Sequence, residues 1–90
     1  MTAIEIVNNA LSLAQARLHA APTVEIFSSI VAQLEYMIRV LGGGEDKSRM
    51  KDIIVGHYAV REFEESDPEF ADALNQAQTI ASKMAKGLKV

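Results

Sequence analysis

The chain predicts an all-α fold, a compact antiparallel bundle of about four helices forming one domain over residues 1–90. Apolar residues recur three and four apart through nearly the whole chain, the spacing that lines one face of a 3.6-residue helix. No stretch alternates apolar and polar residues as a half-buried strand does. The periodic segments are separated by Pro22, Gly42-Gly43-Gly44 and Ser66-Asp67-Pro68-Glu69, connections too brief to hold further structure.

The first helix carries Ile4, Val7, Leu11, Ala14 and Leu18 on one stripe and ends at Pro22. Thr2 and Glu5 form a capping box at its start, because each side chain can reach a backbone N–H that the first turn leaves unpaired. The second helix begins near Thr23 with a wide apolar arc of Val24, Phe27, Ile30, Val31, Leu34, Met37, Ile38 and Leu41, which suits a central position. The glycine triplet stops it.

A third helix is expected from about Asp46–Ser48 to Glu64, with Met50, Ile53, His57, Val60 and Phe63 inward and Gly56 letting a neighbour approach closely. The fourth has the strongest start signal: an N-cap candidate in Ser66-Asp67, a proline preset for the first turn, and Glu69 complementing the positive helix end. Its stripe is Phe70, Ala73, Leu74, Ala77, Ile80, Ala81 and Met84, and Gly87 closes it.

Composition narrows the function. The absence of cysteine removes disulfides, thiolate nucleophiles and sulfur-ligated metals, and fits a cytoplasmic location. No basic leader precedes an apolar run, and no segment approaches the roughly 20 apolar residues of a membrane span. A net charge of −3 without basic clustering argues against nucleic acid.

Catalysis is not expected. His19 and His57 are the only imidazoles, and neither sits at a helical metal-site spacing. The glycine triplet follows a helix rather than a strand and lacks the lysine and hydroxyl of a phosphate loop. Met37, Met50 and Met84 fall on core stripes. No cofactor or metal is therefore predicted.

The acidic run Glu62, Glu64, Glu65, Asp67, Glu69 and Asp72 divides in two. Asp67, Glu69 and Asp72 sit at the start of the fourth helix, where negative charge is favourable. Glu62, Glu64 and Glu65 crowd the end of the third, where the helix dipole opposes them. Beside them Lys51, Val55, Tyr58 and Glu62 fall on one line opposite the inward stripe, and Tyr36 and Val40 break the polar outer face of the second helix. Tyrosines next to carboxylates build protein interfaces, the ring supplying area and the charges selecting the partner. A solvated acidic turn is the alternative.

Gln33-Leu34-Glu35-Tyr36, Val40-Leu41, the run from Gly56-His57-Tyr58 through Ser66-Asp67-Pro68-Glu69, and Gly87-Leu88-Lys89-Val90 resemble a type VI secretion immunity protein, the antidote to an NAD(P)+ glycohydrolase effector. The likeness extends to Ile4-Glu5 and Ala10-Leu11, and the acidic corner is its most specific part. It implies a small helical protein that binds a cognate effector toxin domain in the producing cell and obstructs its active site, without catalysis. On that reading Glu62, Glu64, Glu65 and Asp67 compete for ground the anionic nucleotide occupies, with Tyr36, Val55 and Tyr58 as apolar anchors. The alternatives are an adaptor that self-associates, as a homodimer when free, through Ile6, Ala10 and Leu13, or a helical-bundle enzyme.

Overall fold

In the computed structural model, which describes all residues from Met1 to Val90, four α-helices follow in the order α1 (Ala3–Ala20), α2 (Glu25–Leu41), α3 (Val55–Tyr58) and α4 (Pro68–Ala85). A 3-10 turn at Met50–Asp52 precedes α3, and a π-helical turn at Ala59–Phe63 continues it. There are no strands.

The helix ends follow from local chemistry. The Thr2 hydroxyl accepts the Glu5 N–H at 3.3 Å and the Glu5 carboxylate accepts the Thr2 N–H at 3.1 Å, completing the capping box of α1. Both α2 and α4 close in the six-to-one pattern that needs a left-handed residue: Gly44 N–H donates to the Arg39 carbonyl across Gly43 (φ +81°), and Leu88 N–H to Lys83 across Gly87 (φ +76°). Pro68 opens α4, where its missing N–H has no intrahelical partner to lose.

The end-to-end arrangement follows from a few contacts. Arg17, near the end of α1, bonds Asp67 at the start of α4, while Ala3 and Ile6 border the same cavity as Ile80 and Lys83, so α1 and α4 are antiparallel. Phe27 at the start of α2 lies 6.3 Å from Phe70 at the start of α4, which puts both helix N-termini at one pole. The stretch from Gly42 to Asp67 is the return leg between poles. The radius of gyration, 12.2 Å, equals the roughly 12 Å expected for a folded chain of this length.

The core joins Val7, Ala10 and Ala14 of α1, Ile30, Leu34 and Met37 of α2, Met50 and Val55 of the return leg, and Phe70, Leu74 and Ala77 of α4, all almost fully buried. The predicted stripe of α4 is the buried one, with Met84 half-buried at its end. The stripe of α1 is rotated from expectation. Ile4 is exposed and Ala10 buried, because α2 and α4 both press on α1 and small side chains let them approach. Ala10 is therefore unavailable for the self-association face, and Ile6 and Leu13 are half-buried against the core.

The return leg departs most from the sequence reading. It is not one helix from residues 46–48 to 64. The Asp46 carboxylate accepts the Ser48 N–H at 2.9 Å, an Asx turn that competes with helix formation, and Ile53 is extended. α-Helical geometry begins only at Val55, so the phase differs: Met50 and Ile53 are inward as expected, while His57 and Val60 point out and Val55, Gly56 and Ala59 point in.

Candidate partner-binding surface

The acidic corner lies at the pole where α1 ends and α4 begins, and it is built around Arg17. The guanidinium donates from Nε to Asp67 Oδ2 at 2.7 Å and from a terminal nitrogen to Oδ1 at 3.1 Å, and its other arm donates to the Leu13 carbonyl at 3.0 Å. It also lies 4.6 Å from the centroid of Phe70. The Arg17 fork holds the Asp67 carboxyl below its ordinary range, and the same bond raises the guanidinium.

Beneath this pair, three phenylalanines from three elements converge. Phe63 stacks on Phe27 at 5.7 Å and tilts against Phe70 at 4.9 Å. The π turn that delivers Phe63 carries one residue more than an α turn and leaves Val60, Arg61 and Glu62 on the outside. The Ser66 hydroxyl then donates to the Glu62 carbonyl and the Asp67 N–H to the Phe63 carbonyl, folding the chain sharply into α4.

The predicted interface residues separate into three groups. Glu62, Glu64 and Glu65 are exposed, and the two ion pairs of the chain, Arg17–Asp67 and Arg39–Glu45, involve none of them. Tyr58 is half-buried against the core. Asp67 is also half-buried, with its carboxylate committed to Arg17, so it braces the corner.

Tyr36 and Val55 are corrections. Tyr36 is buried, its hydroxyl donating to the Asp46 carbonyl at 2.8 Å and accepting the Arg49 N–H at 3.0 Å. The loop after α2 folds over that face, and Val40 is likewise half-buried against the core. Val55 is completely buried, because the late start of α3 turns it toward the core. The exposed apolar residues of the return leg are instead Val60, at 60%, and Ile54.

The apolar spacing places Val60 on the inward stripe, and its outward direction depends on the phase of α3. Arg17 carried no signal at all, being 50 residues from its partner.

No group of three His, Cys, Asp or Glu side chains is placed to hold a metal ion. A shallow cleft of about 260 Å3 lies between Gln33, Tyr36 and Arg39 of α2 and Arg49, Asp52 and Ile53, with no histidine, serine or cysteine in its lining. No helix is long and apolar enough to cross a membrane. The arrangement offers a braced, acidic surface with one protruding aliphatic side chain.

Comparisons with known proteins agree on one family. The family model described as Tsi6 matches residues 2–83. The immune protein Tsi6 of Pseudomonas aeruginosa strain PAO1 is 38% identical over 91 residues, covering 100% of this chain and 97% of that protein. A chain in the structure of Tse6 in complex with Tsi6 superposes with a TM-score of 0.90 at 37% identity, covering 99% of this chain and 96% of its own. The structure of Tsi6 from Pseudomonas aeruginosa superposes with a TM-score of 0.87 at 40% identity, covering 100% and 95%.

Proposed function

The chain belongs to the Tsi6 family, and from that premise we propose that it is an immunity protein that binds and neutralises a cognate type VI secretion effector toxin in the cytoplasm of the cell that makes it. It acts by occupancy, without turning over a substrate. The observation that carries this reading is the near full-length likeness to a chain in a complex of Tse6 with Tsi6.

The effector, on the resemblance of the acidic corner, is an NAD(P)+ glycohydrolase whose nucleotide cleft is obstructed. Glu62, Glu64 and Glu65 are exposed and outside both ion pairs, so their carboxylates are open to a cleft built to receive phosphates. Val60 supplies the aliphatic contact, with Tyr58 at its edge. Tyr36 and Val55 are buried and act through packing, Tyr36 by holding the loop after α2 and Val55 by anchoring the start of α3 in the core.

The test is to substitute Glu62→Lys, Glu64→Lys and Glu65→Lys together and measure affinity for a Tse6-type effector domain, with NAD(P)+ hydrolysis by that domain followed in parallel. Weakened binding and restored hydrolysis are expected. An unchanged dissociation constant eliminates the acidic contact, and inhibition of a toxin that hydrolyses no NAD(P)+ corrects the substrate.

A further inference from the structure

The start of α3 is fastened from outside the return leg. No side chain of its own caps the helix. Instead the Ile54 N–H donates to Gln33 Oε1 of α2 at 2.7 Å, and the Gly56 N–H donates to Gln78 Oε1 of α4 at 2.9 Å. The Nε2 of Gln78 donates in turn to the Ile53 carbonyl at 2.9 Å. Two carboxamides from two helices thus take three backbone groups within four residues. A carboxamide suits the place, since it offers a donor and an acceptor two bonds apart.

Gly56 is part of the same device. A Cβ there would lie 2.7 Å from Gln78 Cγ, so only glycine lets the backbone come close enough for Gln78 to bond both its own N–H and the Ile53 carbonyl. The fastening sits one turn before the π-helical turn that exposes Val60 and Glu62. A slip of one residue in a helix rotates every later side chain by about 100°. Such a slip would exchange buried Ala59 for exposed Val60.

We infer that Gln33 and Gln78 are positioning residues for effector binding: by holding the backbone of residues 53–56 they set the register of the return leg, and so present Val60 and Glu62 outward. The inference rests on reading that face as the effector site. Neither glutamine needs to touch the effector.

The experiment combines Gln78→Met and Gln33→Met, which keep bulk and remove the hydrogen bonds, with Val60→Ser and Glu62→Lys. Affinity is measured for a Tse6-type effector domain, and amide hydrogen exchange is read along residues 53–63. Gln78→Met is expected to weaken binding about tenfold and accelerate exchange at Gly56 and through the π turn, with helical circular dichroism unchanged. Gln33→Met, which removes one bond to the return leg and one to Ser29 on its own helix, is the milder second variant, should Gln78→Met fail to fold.

In a Val60→Ser, Glu62→Lys background the loss from either methionine is expected to shrink toward none, because its effect runs through those side chains. Full, additive losses overturn the positioning role. Unchanged affinity in both methionine variants overturns it too while the effector site stands, provided Val60→Ser or Glu62→Lys weakens binding. If neither of those two weakens binding, the site reading fails and this inference with it.

Discussion

Arg17 and Asp67 join the last turn of α1 to the residue just before α4 through a two-pronged ion pair, 2.7 and 3.1 Å long, spanning 50 residues of sequence. Because the same guanidinium lies over Phe70 and bonds the Leu13 carbonyl, one side chain ties together two helices and the aromatic cluster beneath the acidic corner.

Replacing Arg17 by Lys keeps the charge but loses the planar fork and its stacking on Phe70. The expected loss is about 1–2 kcal/mol of unfolding free energy, most of the effect of Arg17→Ala. Urea denaturation measures it, and a lysine variant as stable as the parent shows that only charge matters here.

The pair also contributes to the acid limb of stability. The carboxyl of Asp67 is lowered in the folded state by Arg17, so its contribution is complete above the unfolded value of about 3.9 and is lost as pH falls through the folded value. Glu5, lowered by the Thr2 N–H, and Asp46, lowered by Ser48, act in the same direction. Asp67→Asn is expected to flatten the fall in urea midpoint between about pH 4 and about pH 2 while lowering the midpoint at neutral pH. A parallel acid limb in the variant removes Asp67 as its source.

Three substitutions test the phase of the return leg. Val55→Ala should cost about 1–3 kcal/mol by opening a cavity at a fully buried position, whereas Val60→Ala should stay within about 0.5 kcal/mol of the parent. Tyr36→Phe should destabilise by about 1–2 kcal/mol, since the Asp46 carbonyl and Arg49 N–H lose their partner. Affinity for the effector should respond most to Val60, and a Val60 variant that binds normally while a folded Val55 variant does not would reverse the assignment.

The glycines separate crowding from backbone strain. Gly56→Ala pushes a methyl group into Gln78 and should cost about 1–3 kcal/mol. At Gly43 nothing lies within 4 Å of an added Cβ, but φ is +81°, so Gly43→Asn should be milder than Gly43→Val, the β-branched residue tolerating the left-handed region worst. Equal thermal shifts for the two Gly43 variants would show that conformation is not what selects glycine there.

Much of the architecture is legible in the sequence because its causes act within about five residues. The capping box of Thr2 and Glu5, the proline that opens α4, the glycines that close α2 and α4, and the stripe from Phe70 to Ala81 each depend on neighbours along the chain. The return leg departs from the apolar rhythm where local chemistry favours another conformation: the Asx turn at Asp46 delays the helix, and that delay turns Val55 inward and Val60 outward.

The acidic corner divides along the same line. The run of carboxylates from Glu62 to Asp67 is a property of the sequence, and so is the conflict between Glu62, Glu64 and Glu65 and the end of a helix. Which of them stay unpaired was decided by the approach of Arg17 from α1, which takes Asp67 and leaves the three glutamates exposed. The same holds for Gln33 and Gln78, polar residues on amphipathic helices until the return leg crosses them. Spacing along one helix states which residues share a face; what covers that face depends on chain segments tens of residues away, brought there only when the core forms.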